Sequence, residues 1–121
     1  MTQIMLVGLG GFLGSIGRYL VGIWLGGLEA GFPVSTFVVN ILGCLLIGVF
    51  AGAFEKWDWL PESRLFVATG FCGGFTTFSA FAFENVRLMQ DKDYVVAALY
   101  IILSVTLGIA ATFAGLAVSR S

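Results

Sequence analysis

The segment 70–81 carries the residue types best suited to chemistry in an otherwise apolar stretch. Its sequence, Gly-Phe-Cys-Gly-Gly-Phe-Thr-Thr-Phe-Ser-Ala-Phe, interleaves glycines and hydroxyl residues with aromatic rings. Glycine weakens a helix, and non-helical backbone within a bilayer is tolerated only where it is buried in protein or lines a cavity. The sequence therefore predicts a helix that breaks in mid-membrane, at an ion path or a bound ion.

Two phenylalanines of this segment, Phe78 and Phe81, stand three residues apart and so share one face of a helical turn. The edge of an aromatic ring is positive and its face is negative, so ring edges suit an anion and ring faces suit a cation. Ordinary packing is the usual role of such a pair. Packing is a weaker explanation here than for most such pairs, because Thr76, Thr77 and Ser79 supply hydroxyl donors that a purely structural cluster does not need.

Polar side chains also occur within the second and fourth apolar segments. Asn40 has the amide deepest in the second segment, and Thr36 precedes it by one helical turn. The Asn40 NH₂ could donate to an anion, or the side chain could only join two helices. In the fourth segment, Tyr100 and Ser104 are four residues apart and so share a helix face.

Two charged residues in these segments have several possible roles. Arg18 could snorkel to the interface, brace loop carbonyls or attract anions at a vestibule, and a structural or vestibule role is favoured over a direct pore role. Glu84 follows Phe81 by three residues and precedes Arg87 by three. A local helical ion pair between Glu84 and Arg87 is the simplest interpretation.

The elements that must position these residues are membrane-spanning helices. Mean hydropathy is +1.01, and 11% of the residues are charged, against about 25% in soluble domains. A helix needs about 20 apolar residues to cross the hydrocarbon. The 121 residues therefore predict one all-α transmembrane domain without a soluble domain. Its four predicted spans cover residues 4–25, 33–54, 65–88 and 94–118.

Lysines and arginines are almost equally divided between the two sides of such a bundle. With four spans, both termini share a side with the loop 55–64, and that side has three basic residues against two on the other. This is a weak bias under the positive-inside rule. The chain either inserts both ways up and pairs antiparallel with itself, or has one orientation with few charges in its loops. The five residues are Lys56, Arg64 and Arg120 on one side, and Arg87 and Lys92 on the other.

Composition argues against several function classes. The chain has no histidine, no nucleophile beside a base and no metal-ligand cluster, so an enzyme is not expected. Cys44 and Cys72 both fall in apolar segments and are interpreted as core thiols. A net charge of −1 without a basic patch argues against a nucleic-acid partner. A channel or transporter in the lipid bilayer remains.

Three motifs together resemble the CrcB/Fluc family of fluoride channels: Gly-Gly-Phe-Thr-Thr-Phe-Ser-Ala-Phe at 73–81, Gly-Arg-Tyr at 17–19 and Val-Val-Asn at 38–40. The resemblance covers essentially the whole chain. It implies a fluoride-selective passive channel that exports cytoplasmic fluoride across the bacterial inner membrane. It also implies an antiparallel, dual-topology homodimer with two pores along the subunit interface. Ala80 departs from the pattern, because many members have threonine there.

The same resemblance implies roles for individual residues. Phe78 and Phe81 would contribute the rings of the pores, and Asn40 would be the pore amide. The break in the third span would hold a structural sodium ion through the backbone carbonyls of Gly73 and Thr76 from both subunits. The resemblance also implies that four hydroxyl residues line the fluoride path: Thr36, Ser79, Tyr100 and Ser104. It implies a vestibule or structural role for two charged residues, Arg18 and Glu84.

Two other functions compete with this interpretation. A small multidrug-type antiporter also has four spans and about this length, but that class uses a membrane-embedded glutamate in its first span, and residues 4–25 contain no acid. A non-conducting membrane assembly subunit would use the rings and hydroxyls only for packing. Phe81→Ala separates packing, which predicts lost assembly, from a pore role, which predicts an assembled dimer that no longer conducts.

Overall fold

The computed structural model describes residues 1–28 and 31–121, and these are almost entirely helical. Helix α1 spans Thr2–Leu25 and is followed by a short 3-10 turn at Gly26–Leu28. Helix α2 spans Val34–Lys56. We call residues 61–75 α3, which is α-helical at Pro61–Arg64, π-helical at Leu65–Cys72 and α-helical again at Gly73–Phe75. Helix α4 spans Phe78–Gln90 and α5 spans Tyr94–Arg120.

Four stretches are long and apolar enough to cross a membrane, which agrees with the predicted all-helical fold and its four spans. The second and fourth have mean hydropathies of 2.4 and 2.3, against 1.6 and 1.4 for the first and third. The less apolar pair therefore includes the stretch that carries the predicted site. In chain order the stretches are Thr2–Leu28, Val34–Lys56, Pro61–Gln90 and Tyr94–Arg120.

Glycines let α1 and α3 pack with their backbones in direct contact. A Cβ added to Gly10 would collide with the Phe66 carbonyl, and one added to Gly14 would collide with the Phe71 carbonyl. Small residues allow such close approach between helices in lipid. Because the contact advances along both helices in the same direction, α1 and α3 run parallel.

A second glycine contact joins α2 to α5, and these two helices share the most extensive interface of the fold. A Cβ on Gly48 would collide with the Thr112 carbonyl, and one on Gly115 with the Leu45 carbonyl. Gly52 meets Ser119 further along. This pair also runs parallel, so the spans pair first with third and second with fourth.

Thr76 and Thr77 separate α3 from α4 with extended backbone. Their φ and ψ angles are −86° and 157° at Thr76, and −150° and 113° at Thr77. On α2, Gly43 leaves room for the methyl group of Thr76, because a Cβ there would collide with it. The end of α3 and the start of α4 are thereby placed beside α2.

Candidate functional site

The side-chain amide of Asn40 holds the interruption between α3 and α4. Its Nδ2 donates to the Thr77 carbonyl at 3.1 Å, and its Oδ1 accepts from the Thr77 N–H at 2.9 Å. In an uninterrupted helix that N–H would donate to the Gly73 carbonyl, four residues earlier. Asn40 thus joins α2 to the interruption, supplies an acceptor to the Thr77 N–H, which has no helical partner there, and donates to the Thr77 carbonyl.

Thr77 and Arg18 satisfy backbone groups on the two sides of the interruption. Thr77 Oγ1 accepts from the Ala80 N–H at 3.1 Å, which caps the start of α4. Arg18 Nε donates to the Gly74 carbonyl at 3.2 Å, near the end of α3. Bracing a carbonyl is one of the roles that the sequence left open for Arg18.

The rings of Phe78 and Phe81 lie next to each other at the start of α4, with their centroids 5.8 Å apart. Phe81 also packs on Tyr100, with a centroid distance of 4.9 Å. Phe78 is 79% exposed in the single chain. Both phenylalanines border a cavity of about 240 Å³, whose other lining residues are Asn40, Cys44, Thr77, Ser104 and Val105.

Two of the hydroxyls predicted along a path lie near this cavity or at the interruption. Ser104 Oγ borders the cavity and is buried without a hydrogen-bond partner among the described residues. Ser79 is exposed, and its hydroxyl lies 3.4 Å from that of Thr77. The structure therefore groups Ser104 with Asn40 and the two rings.

The other two predicted hydroxyls, those of Thr36 and Tyr100, bind the carboxylate of Glu84. Thr36 Oγ1 donates to Oε2 at 2.7 Å and the Tyr100 hydroxyl donates to Oε1 at 2.8 Å. Thr36 and Tyr100 are both buried. The expected ion pair of Glu84 with Arg87 is wrong, because the ion pairs among the described residues do not include it. The Arg87 guanidinium lies over the Phe83 ring, 5.8 Å from its centroid. Glu84 instead joins α4 to α2 and α5.

A second cavity, of about 400 Å³, lies beside the interruption and is bordered by Arg18, Thr36, Thr77 and Ala80. Thr77 therefore borders both cavities. The guanidinium of Arg18 puts a positive charge near this space. Ala80 borders this cavity and not the cavity of the phenylalanine rings. A threonine at position 80 would therefore add its hydroxyl to the cavity beside Arg18.

The carbonyls of Gly73 and Thr76 both lose their usual helical donors at the interruption. The Thr77 N–H donates to Asn40 and not to Gly73, and the Ala80 N–H donates to Thr77 Oγ1 and not to Thr76. A Cβ added to Gly73 would have no atom within 4 Å, so there is open space beside it. Carbonyls of unwound helices are ligands for Na⁺ in membrane proteins. The residues present fit a sodium ion.

Comparison with known proteins assigns the chain to one family. The family described as "CrcB-like protein, Camphor Resistance (CrcB)" matches residues 5–116 of the chain. The chain belongs to the CrcB family. Together with the four apolar helices, this makes it a multi-pass membrane protein of the bacterial inner membrane.

Curated relatives align with this CrcB chain over nearly its full length. A Flavobacterium psychrophilum protein is 48% identical over 122 residues, covering 99% of this chain and 98% of its own. A Chlorobium chlorochromatii protein is 44% identical over 120 residues, covering 98% and 93%. A Rhizobium johnstonii protein is 47% identical over 123 residues, covering 100% and 98%. All three are named fluoride-specific ion channel FluC, which agrees with the prediction of a protein that is not an enzyme.

Thr77 and Gly43 are more central to the site of this CrcB protein than the sequence alone predicted. Thr77 exchanges two backbone hydrogen bonds with Asn40 and caps α4, whereas only its hydroxyl entered the prediction. Threonine directly before a helical turn is an N-cap signal that could have found it. Gly43 is one of many glycines, and no sequence signal distinguishes it from those that only pack helices.

Proposed function

We propose that this CrcB-family chain is a fluoride-selective channel through which cytoplasmic fluoride leaves the cell passively. The observation that carries the proposal is the cavity bordered by Asn40, Ser104 and the rings of Phe78 and Phe81. Support comes from the relatives, which match the chain over essentially its whole length and are named fluoride-specific ion channels.

The proposed pore offers hydrogen-bond donors that are not already engaged. An asparagine amide carries two N–H donors, and Thr77 accepts one from Asn40. The Ser104 hydroxyl has no partner within the described parts of the chain. Positive edges of the two phenylalanine rings add a further weak attraction for an anion. These groups can replace part of the hydration shell of fluoride.

Fluoride must also leave the pore, so its binding must stay weak. The described lining of the cavity contains an amide, hydroxyls, a thiol and apolar groups, and no lysine or arginine that would hold the ion. Fluoride enters cells as its neutral acid and dissociates inside. An inside-negative voltage then drives the anion outward, and no coupling residue is needed.

The working unit of the proposal is an antiparallel, dual-topology homodimer with two pores. Phe78 is 79% exposed in the single chain, so the cavity has an open side that a second copy would cover. The division of basic residues, three against two, permits insertion in both orientations. An antiparallel pair would repeat the same cavity on each side of its two-fold axis.

The interruption at Thr76 and Thr77 is proposed to lie in mid-membrane and to hold a structural sodium ion. Both residues are close to the middle of the 30-residue stretch Pro61–Gln90. The carbonyls of Gly73 and Thr76 from the two subunits would hold the ion. When bound, sodium would balance the partial negative charge of these carbonyls at the subunit interface.

Anion release from liposomes tests the proposal directly. The purified protein is reconstituted, its oligomeric state is measured, and fluoride and chloride electrodes follow release in parallel runs. Fast fluoride release without chloride release is expected. If a folded, reconstituted dimer releases no more fluoride than protein-free liposomes, the channel function is wrong for this chain alone.

A further inference from the structure

We propose that Arg87 attracts fluoride to a water-facing mouth of the candidate pore and so sets the rate at which the ion passes that end. The proposal rests on the proposed channel function. The mouth is a cavity of about 370 Å³ between the end of α4 and the start of α2, which we call the mouth cavity. Its lining includes Phe32, Pro33, Glu84, Arg87, Leu88 and Asp91.

Arg87 differs from the other three arginines of the chain in having no oxygen partner among residues 1–28 and 31–121. Its guanidinium lies over the Phe83 ring, 5.8 Å from the centroid. A phenyl ring has no oxygen to accept a hydrogen bond, and a guanidinium carries five N–H donors. Donors of Arg87 are therefore available to an anion. The other arginines lie against the Gly74 carbonyl (Arg18), Asp58 (Arg64) and Glu55 (Arg120).

The mouth cavity lies at the boundary between membrane and water. The third apolar stretch ends at Gln90, the second begins at Val34, and three charged residues follow at 91–93. Arg87 is nine residues after Phe78, which places it about 13 Å further along α4. The mouth cavity is thus separated from the open side near Phe78 that a second copy would cover. An antiparallel pair would have one such mouth on each side of the membrane.

A chain of contacts joins the mouth cavity to the candidate pore. The Phe81 ring, which borders the pore cavity, packs on Tyr100 with a centroid distance of 4.9 Å. The Tyr100 hydroxyl donates to Glu84 Oε1 at 2.8 Å. Glu84 in turn borders the mouth cavity. An ion that leaves the rings along α4 therefore arrives beside Arg87.

The charges of the mouth cavity explain why an anion needs Arg87 there. Glu84 and Asp91 border the cavity with carboxylates, which repel an anion, and Arg87 is the one cation in its described lining. Charged groups in a cleft change the local concentration of small ions, and this effect falls as ionic strength rises. Arg87 therefore offsets the repulsion that fluoride would meet at this end of the path.

A structural role for Arg87 makes a different prediction. Arg87 belongs to the last turn of α4, where a positive charge stabilises the helix by interaction with its dipole. Such a role predicts a lower unfolding midpoint on substitution. It does not predict that the change in transport depends on ionic strength, so this dependence separates the two roles.

Fluoride release from liposomes at two ionic strengths tests the proposal. At about 0.01 M, where screening acts over about 30 Å, we expect Arg87→Gln to slow release about threefold, the size of effect that one unit charge has through water. At about 0.15 M the difference should shrink. Asp91→Asn should have the opposite effect and speed release. Lys92→Gln is the matched control, because it removes the same charge on the same side but residue 92 does not border the mouth cavity.

The possible results are distinguishable. Equal release by wild type and Arg87→Gln at both ionic strengths overturns the proposal. The same loss at both ionic strengths, with a lower unfolding midpoint, overturns it in favour of helix stabilisation. An equal loss in Lys92→Gln overturns a special place for Arg87. A folded wild type that releases no fluoride refutes the proposed function and the role of Arg87 together, whereas the other results leave the channel function standing.

Labelling of arginines tests the free guanidinium without using transport. The assembled wild-type protein is treated with phenylglyoxal, which attacks arginine side chains, and mass spectrometry follows each site. We expect Arg87 to react faster than Arg120, which donates two hydrogen bonds to Glu55. An Arg87 that does not react is covered by the partner copy, and one that reacts in detergent but not in liposomes is held by a lipid phosphate. Either result overturns the proposal.

Discussion

The glycine contacts between paired helices and the interruption between α3 and α4 are held together by opposite means. At Gly14 and Gly48, backbone meets backbone, and the absence of a side chain is what permits the contact. At Thr77, specific side-chain groups of Asn40 and Thr77 itself replace the hydrogen bonds of a helix. The first region is sensitive to added volume, and the second is sensitive to lost polar atoms.

This difference separates the scaffold of the protein from its candidate site. The glycine contacts bring backbone against backbone, so they can hold the helices together without offering side-chain polar groups to an ion. The interruption brings amide, hydroxyl and carbonyl groups into a membrane-spanning stretch, where each one requires a partner. Variants that add volume and variants that remove polar atoms should therefore fail in different ways.

The largest effect is expected for Gly14→Ala. Its methyl group would collide with the Phe71 carbonyl of α3, and backbone cannot move aside as a flexible side chain can. We expect destabilisation by about 3 kcal/mol and poor recovery of monodisperse protein on size exclusion. Gly8→Ala is the matched control, because no atom lies within 4 Å of a Cβ there. Equal stability of the two variants would contradict backbone contact between α1 and α3.

Asn40→Leu should damage both stability and transport. Loss of the amide leaves the Thr77 N–H and carbonyl without their partners, at a cost of about 2 kcal/mol or more, and removes the proposed donor of the pore. Thermal unfolding in detergent and fluoride release are the measurements. Asn85→Leu is the control, because Asn85 Nδ2 donates to the Phe81 carbonyl in its own helix and its Oδ1 already lacks a partner among the described residues. Similar losses in both variants would count against a special role for Asn40.

Phe81→Ala should reduce transport more than it reduces stability. Removal of its ring takes away one wall of the proposed pore, and we expect fluoride release to fall about tenfold or more, which corresponds to about 1.4 kcal/mol in the barrier. Assembly, measured by light scattering, should be retained. Phe83→Ala provides the comparison, because Phe83 is two residues away and 61% exposed. Loss of the assembled protein in Phe81→Ala alone would favour a packing role for the ring.

The smallest effect is expected for Thr77→Ala. The backbone hydrogen bonds of residue 77 to Asn40 remain, whereas the hydroxyl cap of α4 and the 3.4 Å contact with the Ser79 hydroxyl are lost. We expect a loss of about 1 kcal/mol, seen as a lower unfolding midpoint, while Thr77→Ser should retain most of the stability. If Thr77→Ser is as unstable as Thr77→Ala, the methyl group and not the cap stabilises this turn.

Sequence patterns predicted the four spans because hydropathy depends only on which residues are consecutive. Hydrogen bonds between side chains of different helices could not be predicted in this way, since they depend on how far each helix is shifted along its neighbours. Nothing in the spacing of Glu84 reveals that Thr36, 48 residues away, donates to it. The predicted Glu84–Arg87 ion pair is wrong for the same reason, because spacing along the chain cannot show that hydroxyls of two other helices donate to the Glu84 carboxylate.

The pairing of first with third and second with fourth spans has a consequence for biosynthesis. Neither glycine contact joins consecutive spans, so no helical hairpin that emerges early from the ribosome can complete its own close packing. The glycines of α1 remain uncovered until α3 has been made, and those of α2 remain uncovered until α5 has been made. The last helical residue of α5, Arg120, then donates two hydrogen bonds of 2.6 and 3.0 Å to Glu55 of α2. Helix α5 therefore has to be translated before the bundle can be completed, and chains truncated before it would leave the glycines of α2 uncovered.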